Sequence, residues 1–157
     1  MIHMTLENNI AQWREKINNA AAKWGGCEIC AVTKTVDVET INRARAAGIR
    51  TIGENRVQEL TGKFDGLNPA FDIHLIGSLQ TNKVKFVVGK VDVIQSVDSL
   101  RLLESIQKEA AKQGIRQDIL LEINIGGEES KSGFEVGQVL PLVQNFSRFP
   151  NIRLRGL

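Results

Sequence analysis

The stretch Glu28-Ile29-Cys30-Ala31-Val32-Thr33-Lys34 decides the predicted fold. Its residues are mostly small or β-branched and Gly25-Gly26 precedes it, which is typical of a buried strand in a parallel sheet. Lys34 closes the run, and Thr35-Val36-Asp37 indicates that a helix follows. Because open α/β sheets and β/α barrels bind ligands at the carboxyl ends of their strands, Lys34 is a candidate functional residue. The alternative is an ordinary solvated lysine.

Short apolar runs and amphipathic stripes alternate on both sides of this strand. The predicted strands cover residues 28–34, 49–53, 71–77, 91–97, 118–125 and 152–157. The predicted helices cover residues 5–24, 38–47, 56–64, 79–89, 99–113 and 133–147. Spacing predicts three helix caps: Asn55 with Gln58, Asp98, and Ser132 with Glu135. No linker or repeat interrupts the pattern, so residues 1–157 are predicted to form a single domain.

This alternation predicts a parallel sheet with helices outside it. Two architectures fit, an open doubly wound sheet and a β/α barrel. The dinucleotide fingerprint G-x-G-x-x-G and the phosphate loop G-x-x-x-x-G-K-[ST] are both absent from the sequence, which argues against the nucleotide-binding alternatives.

Composition narrows the classes of function. The chain has 157 residues, of which 42% are hydrophobic and 24% charged, with a net charge of +2. This charge, without a basic run, does not predict nucleic-acid binding, and no apolar stretch is long enough to predict a membrane span. The first residues lack the pattern of a secretion signal, so a cytoplasmic location is expected. Cys27-x-x-Cys30 lies on a predicted strand and is interpreted as structural rather than as a redox or metal site.

Polar residues follow several predicted strands. Lys34, Glu54 and Asn55, residues 78–83, Lys131 and Ser132 would share one rim of a parallel sheet. A lysine there that is partly desolvated and close to other cations is a usable nucleophile toward an aldehyde, and Lys83 and Lys131 are the candidate neighbours. His74 lies within the third strand, where a structural role is the more common one.

Several motifs together resemble one protein family. They are Ala31-Val32-Thr33-Lys34-Thr35, Gly53-Glu54-Asn55-Arg56-Val57-Gln58-Glu59, His74-Leu75-Ile76-Gly77-Ser78-Leu79-Gln80-Thr81-Asn82-Lys83, Ser96-Val97-Asp98-Ser99, Asn124-Ile125-Gly126-Gly127-Glu128-Glu129-Ser130-Lys131-Ser132-Gly133 and Leu154-Arg155-Gly156-Leu157. In this combination and order the chain resembles the pyridoxal 5′-phosphate homeostasis proteins, relatives of the N-terminal barrel of alanine racemase.

The resemblance implies a parallel β/α barrel, of TIM type and incomplete, with an N-terminal helix, five β/α units and a sixth strand. It implies that pyridoxal 5′-phosphate is held as a Schiff base on Lys34, with Asn55 and His74 near the cofactor and Lys131 near the mouth of the pocket. The implied function is non-catalytic binding in intracellular cofactor homeostasis, with enzymes that accept the cofactor as candidate partners.

One departure from the family concerns the carboxyl-terminal part of the barrel. Family members continue beyond the motif Arg155-Gly156-Leu157 through two more strands that carry the phosphate cup. The chain therefore resembles a truncated barrel, whose open edges are expected to favour self-association and whose missing phosphate anchors are expected to weaken cofactor binding.

Two alternative functions remain open at this stage. The first is a cofactor-dependent racemase or decarboxylase on the same barrel; such a racemase resembles a two-base enzyme that uses a tyrosine, and this sequence contains none. The second is an interaction module without a cofactor. A visible absorption band that Lys34→Ala abolishes would exclude the interaction module, and turnover of amino acids would identify the enzyme.

Overall fold

Six parallel strands form the central sheet of the protein, and they lie side by side in the order in which the chain reaches them. The computed structural model describes residues 5–128 and 130–157. The six strands are β1 Cys30–Val32, β2 Thr51–Glu54, β3 Asp72–Leu75, β4 Val93–Val97, β5 Gln117–Leu121 and β8 Ile152–Gly156. A separate parallel pair, β6 Ile123–Asn124 and β7 Phe134–Glu135, follows β5.

Helices connect the strands. They are α1 Leu6–Ala21, α2 Val38–Ala46, α3 Val57–Lys63, α4 Leu100–Gln113 and α5 Val136–Gln144, with short 3₁₀ turns at Ala22–Trp24, Phe64–Gly66, Thr81–Phe86 and Phe146–Arg148. The side chains of Thr5, Asp37 and Ser99 each accept the backbone N–H three residues later, and these contacts begin α1, α2 and α4.

The strand order distinguishes between the two predicted architectures. Each crossover leads to the next strand on the same side of the last, and right-handed crossovers then place all helices on one face. A doubly wound sheet would instead reverse direction at a switch point. The winding is therefore that of a β/α barrel, as predicted, with β1 and β8 at the two edges of the described sheet.

The core lies between this sheet and its helices. Ile52, Leu75, Ile94 and Ile119 of successive strands are completely buried, and they pack in one cluster with helix residues such as Leu103. Burying one such side chain stabilises the fold by about 1.5–3 kcal/mol. This burial therefore determines which face of each strand is turned toward the helices.

Three predicted elements differ from the structure. The helix expected over residues 133–147 is only α5 Val136–Gln144, with β7 before it. The helix expected over residues 79–89 is only the 3₁₀ turn Thr81–Phe86, in a segment that contains the β-branched residues Val84, Val87 and Val88. The strand expected over residues 118–125 is interrupted at Glu122. The Glu122 N–H donates to the Val97 carbonyl and the Phe134 N–H donates to the Glu122 carbonyl, so the chain leaves the main sheet here and pairs as β6 with β7.

The three caps predicted from spacing are wrong in register. Arg56, not Asn55, is the N-cap residue of α3, and no side-chain hydrogen bond caps that helix. Ser99 rather than Asp98 caps α4. At α5 the N-cap is Glu135, whose N–H donates to Gln138 Oε1 at 3.1 Å, so the box begins three residues later than Ser132. Several oxygen-bearing side chains close to a helix start compete for this role, and the backbone path decides among them.

Within residues 5–128 and 130–157, no helix has the length and apolar character needed to cross a bilayer. In the same ranges, His, Cys, Asp and Glu side chains form no group of three that could ligate a metal ion. Cys27 and Cys30 are free thiols and both are exposed.

Candidate functional site

Three neighbouring strands bring the predicted site residues to one rim. In the sheet register Val32 pairs with Gly53, and Gly53 pairs with His74, so these residues lie at one level on the same face. Lys34 and Asn55 each follow that level by two residues. Lys34 is exposed in the turn after β1, and Asn55 is half-buried in the bend after β2. The carboxyl ends of β1, β2 and β3 therefore form the candidate site.

Three polar side chains, those of Glu54, Glu59 and Lys63, hold the turn that carries Lys34. We call residues 33–36 the lysine turn, and Thr33, Glu54, Glu59 and Lys63 the anchor network. Thr33 Oγ1 donates to Glu54 Oε1 at 2.6 Å, and Lys63 Nζ donates to the Thr33 carbonyl at 3.0 Å. Lys63 also contacts Glu59 Oε1 at 2.6 Å and Glu54 Oε1 at 3.3 Å. The anchor network thus joins β1, β2 and α3 beneath the lysine turn.

The charged groups of the anchor network are largely shielded from solvent. The Glu54 side chain is 0% exposed, against 14% for Lys63. Burial disfavours the ammonium of Lys63, but its hydrogen bond with Glu59 and the charge of Glu54 outweigh this, and the pKa of Lys63 is raised. The hydrogen bond from Lys63, followed by that from the Thr35 N–H, lowers the pKa of Glu59. Glu54 Oε2 is buried and has no hydrogen-bond partner in the part of the chain that the structure describes.

Thr35 gives the lysine turn an uncommon backbone conformation. Its φ is 63°, in the left-handed region that β-branched residues rarely adopt. The Thr35 N–H donates to Glu59 Oε1, and the Val36 N–H donates to the Thr33 carbonyl at 3.1 Å. Both neighbours of Lys34 are therefore held, while the Lys34 side chain itself extends into solvent.

Backbone contacts hold the next two turns of the rim. A Cβ atom at Gly77 would lie 2.2 Å from the Asn55 carbonyl oxygen, so only glycine allows these segments to approach so closely. The Ile76 N–H donates to the Glu54 carbonyl at 2.9 Å, and Ser96 Oγ donates to the Gly77 carbonyl at 2.6 Å. The turns after β2 and β3 are therefore packed against each other, and Ser96 of β4 holds the second of them.

His74 is half-buried on the same face as Gly53, with Gln95 beside it. Gln95 Nε2 lies 2.7 Å from His74 Nδ1. Burial lowers the pKa of His74, although the carboxylates of Asp92, Asp72 and Glu28 oppose the shift. Burial thus favours the uncharged imidazole, and a Gln95 amide that donates to Nδ1 requires the ring proton on Nε2.

Lys131 and Lys83, the expected cationic neighbours of Lys34, lie in two other segments of the chain. Lys131 Nζ pairs with Glu128 Oε1 at 2.6 Å in the exposed loop after β6. Asn124 Nδ2 donates to the Glu128 and Lys131 carbonyls at 2.9 and 3.3 Å and so closes that loop. Lys83 is half-buried in the 3₁₀ turn. Lys34 itself is exposed, whereas the sequence led us to expect a partly desolvated amine.

Sequence reasoning missed most of the polar groups that organise this rim. Glu54 was expected there only as one of several polar residues, and Glu59, Lys63 and Gln95 were not expected at all. The spacing of Glu59 and Lys63, four residues apart on a helix, is a readable signal for an ion pair. Their connection to Thr33 and Glu54 depends on the pairing of β1 with β2.

A family comparison agrees with this fold. The family model of the alanine racemase N-terminal domain matches residues 5–157. Alanine racemase of Clostridium difficile 630 has a TM-score of 0.69 at 16% identity, with 91% of this chain and 39% of that chain covered, which supports the shared fold alone. The class of protein is thus a β/α barrel of the alanine racemase N-terminal type.

More similar relatives identify the family within that class. The pyridoxal phosphate homeostasis protein of Aquifex aeolicus strain VF5 is 42% identical over 148 residues, which cover 91% of this chain and 65% of the relative. The protein of the same name from Escherichia coli K12 is 34% identical, with 97% of this chain and 68% of the relative covered. The chain belongs to the pyridoxal phosphate homeostasis protein family and spans about two thirds of the length of these relatives.

Solved structures of a similar protein have the same fold as this chain. PipY of Synechococcus elongatus PCC7942, determined without PLP, has a TM-score of 0.86 at 30% identity, with 98% of this chain and 69% of that chain covered. The structure of the same protein with PLP bound has a TM-score of 0.83 at 29% identity over the same shares of the two chains.

Proposed function

We propose that this chain binds pyridoxal 5′-phosphate without catalysing a reaction, as part of the homeostasis of that cofactor, and that Lys34 forms a Schiff base with it. The observation that carries the proposal is the presentation of Lys34. Its amine is exposed at the carboxyl end of β1, and the residues on both sides of it are hydrogen-bonded to neighbouring elements. An accessible primary amine at such a rim is the group that an aldehyde requires.

The side chains around Lys34 have the chemistry to accept the cofactor. The rim combines an amine, the half-buried amide of Asn55 and the half-buried imidazole of His74. We propose that Asn55 and His74 contact the cofactor ring, and that Lys131 lies at the mouth of the site rather than at the attachment point, because its ammonium is paired with Glu128. When bound, the cofactor supplies a reactive aldehyde and an electron-withdrawing ring, and the protein supplies placement of the amine.

The relatives support this proposal at the level of function. Proteins named for pyridoxal phosphate homeostasis match 91–98% of this chain, and a structure of PipY contains PLP. The names of these relatives describe homeostasis and no reaction, which favours a non-catalytic role, and we extend that role to enzymes that accept the cofactor as partners. A racemase on this barrel remains the alternative to be tested.

Trapping with borohydride tests the attachment site. The chain is incubated with pyridoxal 5′-phosphate, reduced, digested and mapped by mass spectrometry. We expect the label on Lys34 in the wild type and in Lys131→Ala, and loss of that label together with the visible absorption band in Lys34→Ala. Label confined to Lys83 or Lys131 would contradict the proposal. Racemisation of an amino acid by the loaded wild type, absent in Lys34→Ala, would favour the enzyme instead.

A further inference from the structure

We propose that Thr33 and Glu54 are positioning residues for the lysine turn, and that they set how readily Lys34 captures the cofactor. This inference rests on the proposed function of Lys34. It assigns a task to a buried carboxylate that does not itself contact the cofactor. Glu54 acts through Thr33, and Lys63 completes the arrangement from the other side.

The position of Glu54 is unusual for a charged residue. It ends β2, its side chain is fully buried, and its partner in the register with β3 is the apolar Leu75. Removing a carboxylate from water is costly, and a well-packed apolar residue at such a site is often neutral or stabilising. Glu54 Oε2 also lacks a partner in the described part of the chain. Packing alone therefore does not explain a carboxylate here.

The contacts of Glu54 lead to the lysine turn. Its Oε1 accepts the hydroxyl of Thr33, the residue immediately before Lys34, at 2.6 Å. Lys63 Nζ lies 3.3 Å from the same oxygen and donates to the Thr33 carbonyl at 3.0 Å. Thr33 is therefore fixed through both its side chain and its backbone, and it is 5% exposed.

The far side of the lysine turn is held by Glu59, which Lys63 connects to the rest of the anchor network. The Thr35 N–H donates to Glu59, which keeps Thr35 at a φ of 63°. A β-branched residue remains in that region only where surrounding contacts hold it. Lys34 thus lies between two residues that are held in place, Thr33 and Thr35. We infer that losing the contacts of either residue makes the lysine turn more mobile and lets the Lys34 amine adopt a wider range of orientations.

Three variants separate this role from simple stabilisation. Thr33→Val keeps the shape of the side chain and removes the hydroxyl, whereas Thr33→Ser retains it. Thr40→Val is the matched control, because it removes the threonine hydroxyl contact with Asp37 Oδ2 of 2.9 Å, outside the lysine turn. The measurements are the rate of borohydride-trapped labelling of Lys34 by pyridoxal 5′-phosphate, the hydrogen exchange of residues 33–36, and the urea unfolding midpoint.

We expect Thr33→Val to slow labelling of Lys34 about tenfold, as the loss of one charge-assisted hydrogen bond implies, and to speed exchange of residues 33–36. Thr33→Ser is expected to label within about twofold of the wild type, and Thr40→Val to label at the wild-type rate. A Thr33→Val chain that labels as fast as the wild type would overturn the inference, whatever its midpoint. A wild type without label on Lys34 would refute the proposed function itself, and this inference with it.

Discussion

Lys63→Met is the sharpest test of the anchor network. Methionine retains an unbranched apolar chain and lacks the ammonium that lies 2.6 Å from Glu59 and 3.3 Å from Glu54. The variant leaves Glu54, which is 0% exposed, without its cation. It also removes the donor that the Thr33 carbonyl uses.

The burial of this ion pair determines how much stability Lys63→Met is expected to lose. Removing one partner of a buried ion pair costs about 3–5 kcal/mol, because the remaining charge is left uncompensated. Lys63 keeps 14% of its side chain exposed, so we expect a loss near the lower limit, about 3 kcal/mol. With a urea m-value of about 2 kcal/mol/M, the unfolding midpoint falls by roughly 1.5 M.

Urea unfolding at neutral pH measures this change, with Lys112→Met as the matched control. The Lys112 side chain is 76% exposed and its Nζ lies 3.9 Å from Glu109 Oε2, so its replacement is expected to cost less than about 0.5 kcal/mol. The double variant Glu54→Leu/Lys63→Met removes both charges and is expected to recover most of the loss. Equal midpoints for Lys63→Met and Lys112→Met would refute the reasoning.

The pH dependence of unfolding provides a second test of Lys63→Met. The pKa of Lys63 is raised in the folded chain, so the unfolded chain releases the proton first as the pH rises. The stabilisation from this ammonium is therefore fully present below the unfolded pKa, about 10.4, and is lost as the pH rises through the folded value. The difference between wild type and Lys63→Met is expected to stay constant from about pH 7 to about pH 9 and to shrink above about pH 10.5.

Three further predictions concern the rim. Gly77→Ala is expected to lower the free energy of unfolding by about 1–3 kcal/mol because its Cβ meets the Asn55 carbonyl, whereas Gly62→Ala, with open space in α3, is expected to raise it by about 0.5–1 kcal/mol; urea midpoints compare them. Burial lowers the pKa of His74, so the unfolded chain binds that proton more readily, and stability is expected to fall between about pH 7.5 and about pH 5.5, less steeply in His74→Gln; a slope unchanged by the substitution would exclude this origin. Asn55→Ala is expected to leave helix content by circular dichroism unchanged, since Arg56 is the N-cap residue, while weakening cofactor affinity in a titration; equal affinity would remove Asn55 from the site.

Much of the fold could be read from local patterns. A buried strand, an amphipathic stripe and a glycine stop are each encoded within a few residues, so the alternation of strands and helices was predicted correctly around Lys34 and through α4. The lysine at the end of β1 was found for the same reason. The choice of a barrel over a doubly wound sheet came from the family resemblance, and strand order then confirmed it.

The details that failed depend on the backbone path. The interruption at Glu122 reflects hydrogen bonds to Val97 and Phe134, residues distant in the sequence. The cap of α3 was misplaced by one residue because Asn55 has the right side chain but lies in the bend after β2. Local propensity cannot decide such cases, because neighbouring residues satisfy it equally well.

The sequence by itself determined the order of the six main strands, the family and the residues that follow most of these strands. Only the tertiary structure decided which of those residues act together. Thr33 and Glu54 are 21 positions apart, and Lys63 reaches Thr33 across 30 positions, because β1 pairs with β2 and α3 packs against them. Lys131 pairs instead with Glu128 within its own loop. A side-chain contact of a few ångströms depends on strand register and helix placement together, and neither is encoded in the spacing of the residues that make it.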